Sequence, residues 1–327
     1  MNTPSHSQTD TPEIDVIIPV YNGEQYILNA IQSVQNQTLK PKVIVIVNDG
    51  STDKTEEVIL KHIKNHPNSF LYIKQKNLGL SGARNTGIKK SKSDFVAFLD
   101  ADDEWEKNKL ELQYQKFKTT NYPNLGLVYC DFTVMNEEGK AIPRKKRFHL
   151  DPSIKGSVHM KLLEGNKIAS SGSGALIKKQ CLTECGMFDT NLSAAEDWDL
   201  WLRISKKYEV DYCAERLVKI RLHGNNMQKD NVKMLINRSN VIKKLAIENN
   251  DLPAMRHIKN TLSDLLVWNM LKPANFRLIR ATIGAPTLKK IYGKNKLAFT
   301  TFLCKKILIK SLLFPFKLFN DFRKTGN

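Results

Sequence analysis

The sequence predicts an α/β architecture: a single Rossmann-like, mostly parallel sheet with flanking helices, followed by a helical C-terminal extension. Three observations predict it. Short apolar runs at 14–20, 42–47, 70–74 and 94–99 recur at intervals that leave room for a helix between them. The intervening stretches carry apolar residues at helical spacing, so strand and helix alternate, the pattern of a parallel sheet with crossover helices. Beyond Gly224 the helical pattern continues alone, to Phe322.

The first run, Ile14-Asp15-Val16-Ile17-Ile18-Pro19-Val20, reads as a buried strand, and Tyr21-Asn22-Gly23 turns the chain after it. A helix over 24–37 carries Tyr26, Ile27, Ala30, Ile31 and Val34 on one face. The second strand covers 42–47, the loop Asn48-Asp49-Gly50-Ser51-Thr52-Asp53 follows, and a helix runs over 54–65. The third strand, 70–74, leads to a segment at 79–90 that is Gly-rich at its start and helical after. The fourth, 94–99, ends in Asp100-Ala101-Asp102-Asp103. Further strands are expected at 127–134, 208–212 and 217–222, a turn at Glu137-Glu138-Gly139, a basic loop at 143–149, and a helix over 196–203 packed through Trp198, Trp201 and Leu202. Cys181 and Cys185 have no nearby partner that would make a metal site.

With 327 residues, 41% apolar and 26% charged, the chain fits a soluble globular protein and is unlike disordered, collagenous or multi-span membrane sequences. Five cysteines, an odd number, suit a reducing compartment. The start is polar, without the apolar stretch of a secretory signal, so 1–12 reads as a disordered lead-in and the protein is expected in the cytoplasm. No Walker loop and no Gly-x-Gly-x-x-Gly follows the first strand, so the usual NTPase and dinucleotide fingerprints are absent.

Ligands of open α/β sheets bind at the carboxyl ends of the strands. Here those ends bring Tyr21-Asn22, Asn48-Asp49 and Asp100/Asp102, with Arg84-Asn85 in the third crossover. Two carboxylates one residue apart at a strand end suit a hard divalent cation, which keeps waters and bridges substrate phosphates.

The segments Val16-Ile17-Ile18-Pro19-Val20-Tyr21-Asn22, Asn48 to Asp53, Gly79-Leu80-Ser81-Gly82-Ala83-Arg84-Asn85-Thr86-Gly87, Phe98 to Asp103 and Glu196-Asp197-Trp198-Asp199 resemble, in order and spacing, a family 2 glycosyltransferase of GT-A fold, of the bacterial cell-surface polysaccharide type. The resemblance covers about residues 13 to 225. It implies a catalytic domain over 13–227, with a nucleotide-sugar half at 13–105 and an acceptor half at 106–227, and a separate basic helical region at 228–327. It implies that Asp49 accepts a hydrogen bond from the imide of uracil, although the family often has Asp where this chain has Asn48. Pro19, Tyr21 and Glu24 would line the nucleoside pocket, and Arg84 would lie near the base or the phosphates. Asp102 would be the main metal ligand for Mn²⁺ or Mg²⁺, with Asp100 at the ribose and metal shell. His223 would assist at the metal or diphosphate, supplemented by Arg221 or Lys229. Asp197 would be the general base of an inverting displacement, Glu196 would orient the acceptor or its loop, and Asp199 would be structural. Residues 172–174 would form a flexible acceptor-side loop, and Trp198 would either stack on an acceptor ring or pack in the core. The implied donor is a UDP-sugar; the implied acceptor is a glycan or lipid-linked hydroxyl.

The net charge of +18 is uneven, because residues 228–327 alone carry +15. Within them, 298–319 alternates apolar blocks with Lys305, Lys306, Lys310 and Lys317. Four lysines and Pro315 argue against a spanning helix and fit an interfacial one on an anionic cytoplasmic leaflet. That would place the enzyme peripherally on the cell membrane. A helix packed on the body, or on the second subunit of a homodimer, is the alternative. Nucleic acid is set aside as a partner, because the charge lies away from the organised loops and no binding module is present. A non-catalytic sugar-nucleotide binder and a sugar nucleotidyltransferase stay open as other functions.

Overall fold

The computed structural model describes residues 12–66, 68–144, 151–168, 172–224, 226, 230–269 and 273–292. The expectations for the lead-in, most of the 143–149 loop, Lys229 and the 298–319 segment lie outside the described residues. The chain divides into two compact units, 1–162 with 166–229, and 163–165 with 230–327.

In the first unit the N-terminal alternation is β1 (Ile14–Val20), α1 (Ile27–Gln35), β2 (Val43–Asn48), α2 (Thr55–Ile63), β3 (Phe70–Lys74), α3 (Gly79–Lys90) and β4 (Phe95–Phe98). β1 pairs in parallel with β2 and β4, and β2 with β3. Every residue of β1 is buried, which is why its sequence is a nearly unbroken Ile/Val run. Its one carboxylate, Asp15, is buried and accepts hydrogen bonds from Ser91 Oγ at 2.7 Å, Ser93 Oγ at 2.8 Å and two backbone amides, so it pins the turn that feeds β4.

The rest of the unit adds β5 (Glu104–Trp105), α4 (Lys109–Thr119), β6 (Leu125–Met135), β7 (Ala141–Ile142), α5 (His159–Leu162), β8 (Leu176–Lys178), α6 (Lys179–Glu184), α7 (Glu196–Ser205) and β9 (Glu209–Arg221). Among the described residues the strands form one nine-stranded sheet, in the order β3-β2-β1-β4-β8-β6-β9-β5, with β7 paired to β6. β8 runs antiparallel to both its neighbours, β6 and β9 are parallel, and β5 is antiparallel to β9. The chain leaves β1 toward β2 and β3, then crosses back to β4. The carboxyl ends of β1 and β4 therefore flank a topological switch point, where such sheets leave a crevice.

The two short strands expected at 208–212 and 217–222 are one continuous strand, β9. Residues 214–216 between them are exposed, and the β6–β9 register shifts at Cys130/Asp131 and Asp131/Phe132, so a bulge carries the polar stretch without ending the strand. Helix α4 has no clear apolar stripe because its buried face includes Lys109 and Gln113. Lys109 Nζ donates to Gln113 Oε1 at 2.6 Å and lies 4.0 Å from the Trp105 ring centre, while Gln113 Nε2 donates to the carbonyls of Val128 and Gly174.

The second unit is helical: α8 (Asn231–Glu248), α9 (Leu252–Asn269), α10 (Pro273–Ile283) and α11 (Ala285–Tyr292). Asp230 caps α8 by accepting from Lys233 N at 2.9 Å. Among the described residues its buried apolar side chains include Leu235, Ile242, Leu245, Ile258, Leu262, Ile279 and Ile283, at helical spacing. Gly284, at φ 79°, ends α10 in the left-handed region and lets α11 begin at once. Among the described residues no helix is long and apolar enough to cross a membrane.

Candidate active site

The loops after β1 and β2 are laced together. Asn22, in the left-handed region at φ 50°, accepts from Thr52 N at 2.8 Å and donates its own amide to Ser51 Oγ at 3.0 Å. Glu24 Oε2 accepts from Lys54 N at 2.7 Å. Pro19 is buried within β1, and Tyr21 beyond it is 53% exposed. Asp49 is buried at the end of β2, where its Oδ1 accepts from Gln75 Nε2 at 2.7 Å and from Leu78 N at 2.9 Å. Asn48 is buried too. Its amide donates to Tyr72 OH at 2.9 Å, and Tyr72 OH donates to Glu56 Oε1 at 3.2 Å. With the tyrosine proton given to Glu56, position 48 must supply a donor, which Asn has and an ionised Asp lacks.

The loop after β4 is clamped from two distant segments. Ser173 Oγ donates to Asp103 Oδ2 at 2.7 Å and accepts from Asp100 N at 3.1 Å. The buried Arg221, last residue of β9, donates its amide to Asp103 Oδ1 at 3.1 Å, Nε to the Asp102 carbonyl at 3.0 Å and Nη2 to Glu104 Oε1 at 2.5 Å. Its guanidinium lies 4.6 Å from the centre of the Tyr26 ring. Asp103 is thereby buried, and burial, then the charges of Asp102 and Asp100, push its carboxyl well above the usual range. Asp102 keeps 31% exposure and meets His223 Nε2 at 2.8 Å and Asn226 Nδ2 at 3.3 Å, both on Oδ2. Burial first, then Asp100, raises its pKa. The His223 ring also lies 5.4 Å from that of Tyr26.

The start of α7 brings a second carboxylate pair. Ala195 before it sits at φ 56°, a left-handed conformation that costs about 1 kcal/mol and sets the direction of the first turn. Asp197 is nearly buried, accepting from Asn166 Nδ2 at 2.9 Å on Oδ2 and from Trp198 N at 2.7 Å on Oδ1. Burial raises its pKa above the ordinary 3.8. Burial likewise raises that of Glu196, against the opposing pull of Arg84. Arg84 joins the two groups: fully buried, it donates to Glu196 Oε1 at 2.8 Å and to Asp100 Oδ1 at 2.6 Å.

A family model described as glycosyl transferase family 2 matches residues 15–186. The chain belongs to this family. It is similar to a Rickettsia typhi protein described as an uncharacterized glycosyltransferase, 31% identical over 221 residues, which are 66% of this chain and 65% of that one. The chain spans 29 to 65% of the length of the rickettsial relatives it matches. Its fold is shared with Staphylococcus aureus TarS 1–349, solved in complex with UDP-GlcNAc, at 18% identity and a TM-score of 0.63 over 85% of this chain and 81% of that one. It is also shared with the mannosyltransferase PcManGT from Pyrobaculum calidifontis, solved with GDP-Man and Mn²⁺, at 19% identity and a TM-score of 0.60 over 95% of this chain and 84% of that one. The GT-A fold expected from the sequence is thus the one observed.

In this family member the structure gathers Asp100, Asp102, His223 and Arg221 at one loop, and links Asp100 through Arg84 to Glu196 and Asp197. Residues 172–174 differ from the flexible loop expected: they form a short buried 3₁₀ turn. A Cβ at Gly172 would stand 2.9 Å from Arg84 Nη2, so the glycine makes room for that guanidinium. Trp198 packs in the core with Nε1 on the Leu162 carbonyl at 2.8 Å, and Asp199 pairs with Arg203 at 2.7 Å. Three residues of the site escaped sequence reading, Tyr26, Asn166 and Asn226, and Ser173 was read only as part of the 172–174 loop. The signals were slight. Asn226 lies three positions after His223, and Ser173 sits between two glycines.

Among the described residues no three His, Cys, Asp or Glu side chains are gathered as a metal-binding group. The pair Asp102/His223 nevertheless fits a divalent cation that takes few protein ligands. One carboxylate oxygen and one imidazole nitrogen lie 2.8 Å apart, beside the second carboxylate Asp100, whose charge bears on Asp102.

Proposed function

We propose that this chain transfers a sugar from a nucleotide-sugar, a UDP-sugar by preference, to a hydroxyl of a glycan or lipid-linked acceptor in surface polysaccharide synthesis, with inversion at the anomeric carbon. The observation that carries this reading is the presence of two different carboxylate sites in one place. Asp102 meets His223 at the strand end, and Asp197 is held by Asn166 at a helix start. A donor diphosphate needs the first and an acceptor hydroxyl the second.

The donor lies over the carboxyl ends of β1 and β4. Asp49 faces the uracil imide, its placement fixed by Gln75 and Leu78. Asp102 and His223 would hold Mn²⁺ or Mg²⁺, with Asp100 close by. When bound, the cation supplies positive charge that stabilises the departing diphosphate. Asp197 accepts the proton of the acceptor hydroxyl as its oxygen attacks the anomeric carbon. Its raised pKa makes it a stronger base than a solvated carboxylate. Asn166 and the Trp198 amide hold its two oxygens in place. The cationic C-terminal region brings the enzyme to the cytoplasmic face of the membrane, where such acceptors are found.

The test is calorimetry with UDP, GDP, CDP and dTDP, each with Mn²⁺ and with EDTA. Metal-dependent binding of UDP, lost in Asp102→Asn, is expected. Preferential binding of GDP would overturn the choice of donor base, and no binding of any nucleotide would overturn the function.

A further inference from the structure

Arg84 sits on α3 with no exposed surface. Nη2 meets Asp100, 16 residues away, and Nη1 meets Glu196, 112 residues away. Among the described residues Nε is buried with no hydrogen-bond partner, and those two carboxylates are the side chains that hold the fork. Its surroundings prevent it from swinging out. The Phe188 ring centre lies 5.1 Å from the guanidinium carbon, and even a methyl group at Gly172 would press on Nη2. The two carboxylates differ in freedom. The Asp100 side chain is 24% exposed and can turn toward a ligand, whereas that of Glu196 is 6% exposed and cannot.

We infer that Arg84 is a positioning residue, one that couples occupancy of the nucleotide site to the placement of Asp197, and not a ligand of the donor. This inference rests on the reading of the nucleotide site given above and goes beyond it. One guanidinium shared by two acids divides its attraction between them. When Asp100 turns to a bound cation and diphosphate, Arg84 bears on Glu196 alone. Glu196 opens the first turn of α7, next to Asp197 and directly after the left-handed Ala195. A firmer hold on Glu196 therefore fixes the base. The coupling is reciprocal: removing charge from Glu196 makes Arg84 hold Asp100 more tightly and opposes donor binding.

Calorimetry of UDP with Mn²⁺ on wild type, Glu196→Gln, Arg84→Lys and the double variant tests this. Glu196→Gln keeps the side-chain shape, and Glu196 touches none of the nucleotide-site residues. It is expected to weaken metal-dependent UDP binding about fivefold, and this loss is expected to shrink below about twofold in the Arg84→Lys background. Unchanged binding in Glu196→Gln overturns the coupling. An equal loss in both backgrounds also overturns it, since that is what general loosening of the fold would produce. If Arg84→Lys does not fold, Asp100→Asn cuts the other end of the bridge and serves as the second background, with the same expectation. Failure of wild type to bind any nucleotide is a different result: it overturns the proposed function, and the coupling with it.

Discussion

His223 Nε2 and Asp102 Oδ2 lie 2.8 Å apart although 121 positions separate them in the chain. The contact exists because β9 returns beside β5 and Arg221, two residues before His223, clasps the backbone of the loop that carries Asp102. Removal of the imidazole should therefore act on the cation and not on the nucleotide alone. His223→Ala is expected to weaken Mn²⁺-dependent UDP binding by at least about tenfold and to leave any metal-free binding unchanged. Calorimetry with and without EDTA measures both; equal losses in the two would place His223 on the nucleotide instead.

Asp197→Asn should separate binding from chemistry. Nucleotide affinity is expected to stay within about twofold, while turnover, followed as UDP release, falls by about 10²- to 10⁴-fold. A variant that retains wild-type turnover would remove Asp197 from the role of base.

The pH profile should carry the same signature. Asp197 must be ionised to accept a proton, and burial holds its pKa above 3.8, so activity is lost on acidification at a higher pH than for a solvated aspartate. The hydrogen bond from Asn166 favours the ionised form. Asn166→Leu is therefore expected to move the acid limb of the rate profile further upward, toward neutral pH. A limb that stays in place would show that Asn166 does not touch the titrating group.

Lys109 makes a prediction about stability. Burial lowers its ammonium from 10.5 to about 8, so between these values the folded chain has released a proton that the unfolded chain keeps. Stability at this site is lowest below pH 8 and recovers as the pH rises toward 10.5. Comparing urea unfolding of wild type and Lys109→Met at pH 7 and 9.5, the difference between them should shift by about 2 kcal/mol in favour of wild type at the higher pH. A constant difference would mean that the folded lysine keeps its proton throughout this range and that burial does not lower its pKa.

Gly172→Ala should destabilise by about 1 to 3 kcal/mol, because the new methyl group meets a guanidinium that two ion pairs and full burial hold in place. Urea unfolding reads this directly, and the loss should be smaller in an Arg84→Met background.

The parallel half of the fold was legible because β1, β2 and β4 are largely buried, so β1 and β2 read as Ile/Val runs and β4 as the short apolar run Phe95–Phe98. Helix α4 was not, since its inner face holds a lysine and a glutamine that satisfy each other. β9 read as two pieces because a bulge hides its continuity. In the site, the carboxylates stood out by type and by position, Asp49, Asp100 and Asp102 after strand ends and Glu196 and Asp197 at a helix start. Their partners did not. Asn166, Ser173 and Asn226 are ordinary polar residues whose importance comes only from what the chain places opposite them.

The clamp on Asp103 also bears on how the molecule is made. Its partners, Ser173 and the amide of Arg221, lie 70 and 118 residues downstream. Strands β1 to β4 can pair as soon as residue 98 has left the ribosome, because their crossovers are local. The acidic loop that follows has to wait, with its buried carboxylate still in water, until most of the first unit has been synthesised. A nascent chain halted before residue 221 would own a nearly finished parallel sheet and no assembled nucleotide site, so the growing polypeptide would acquire its chemistry only after its architecture.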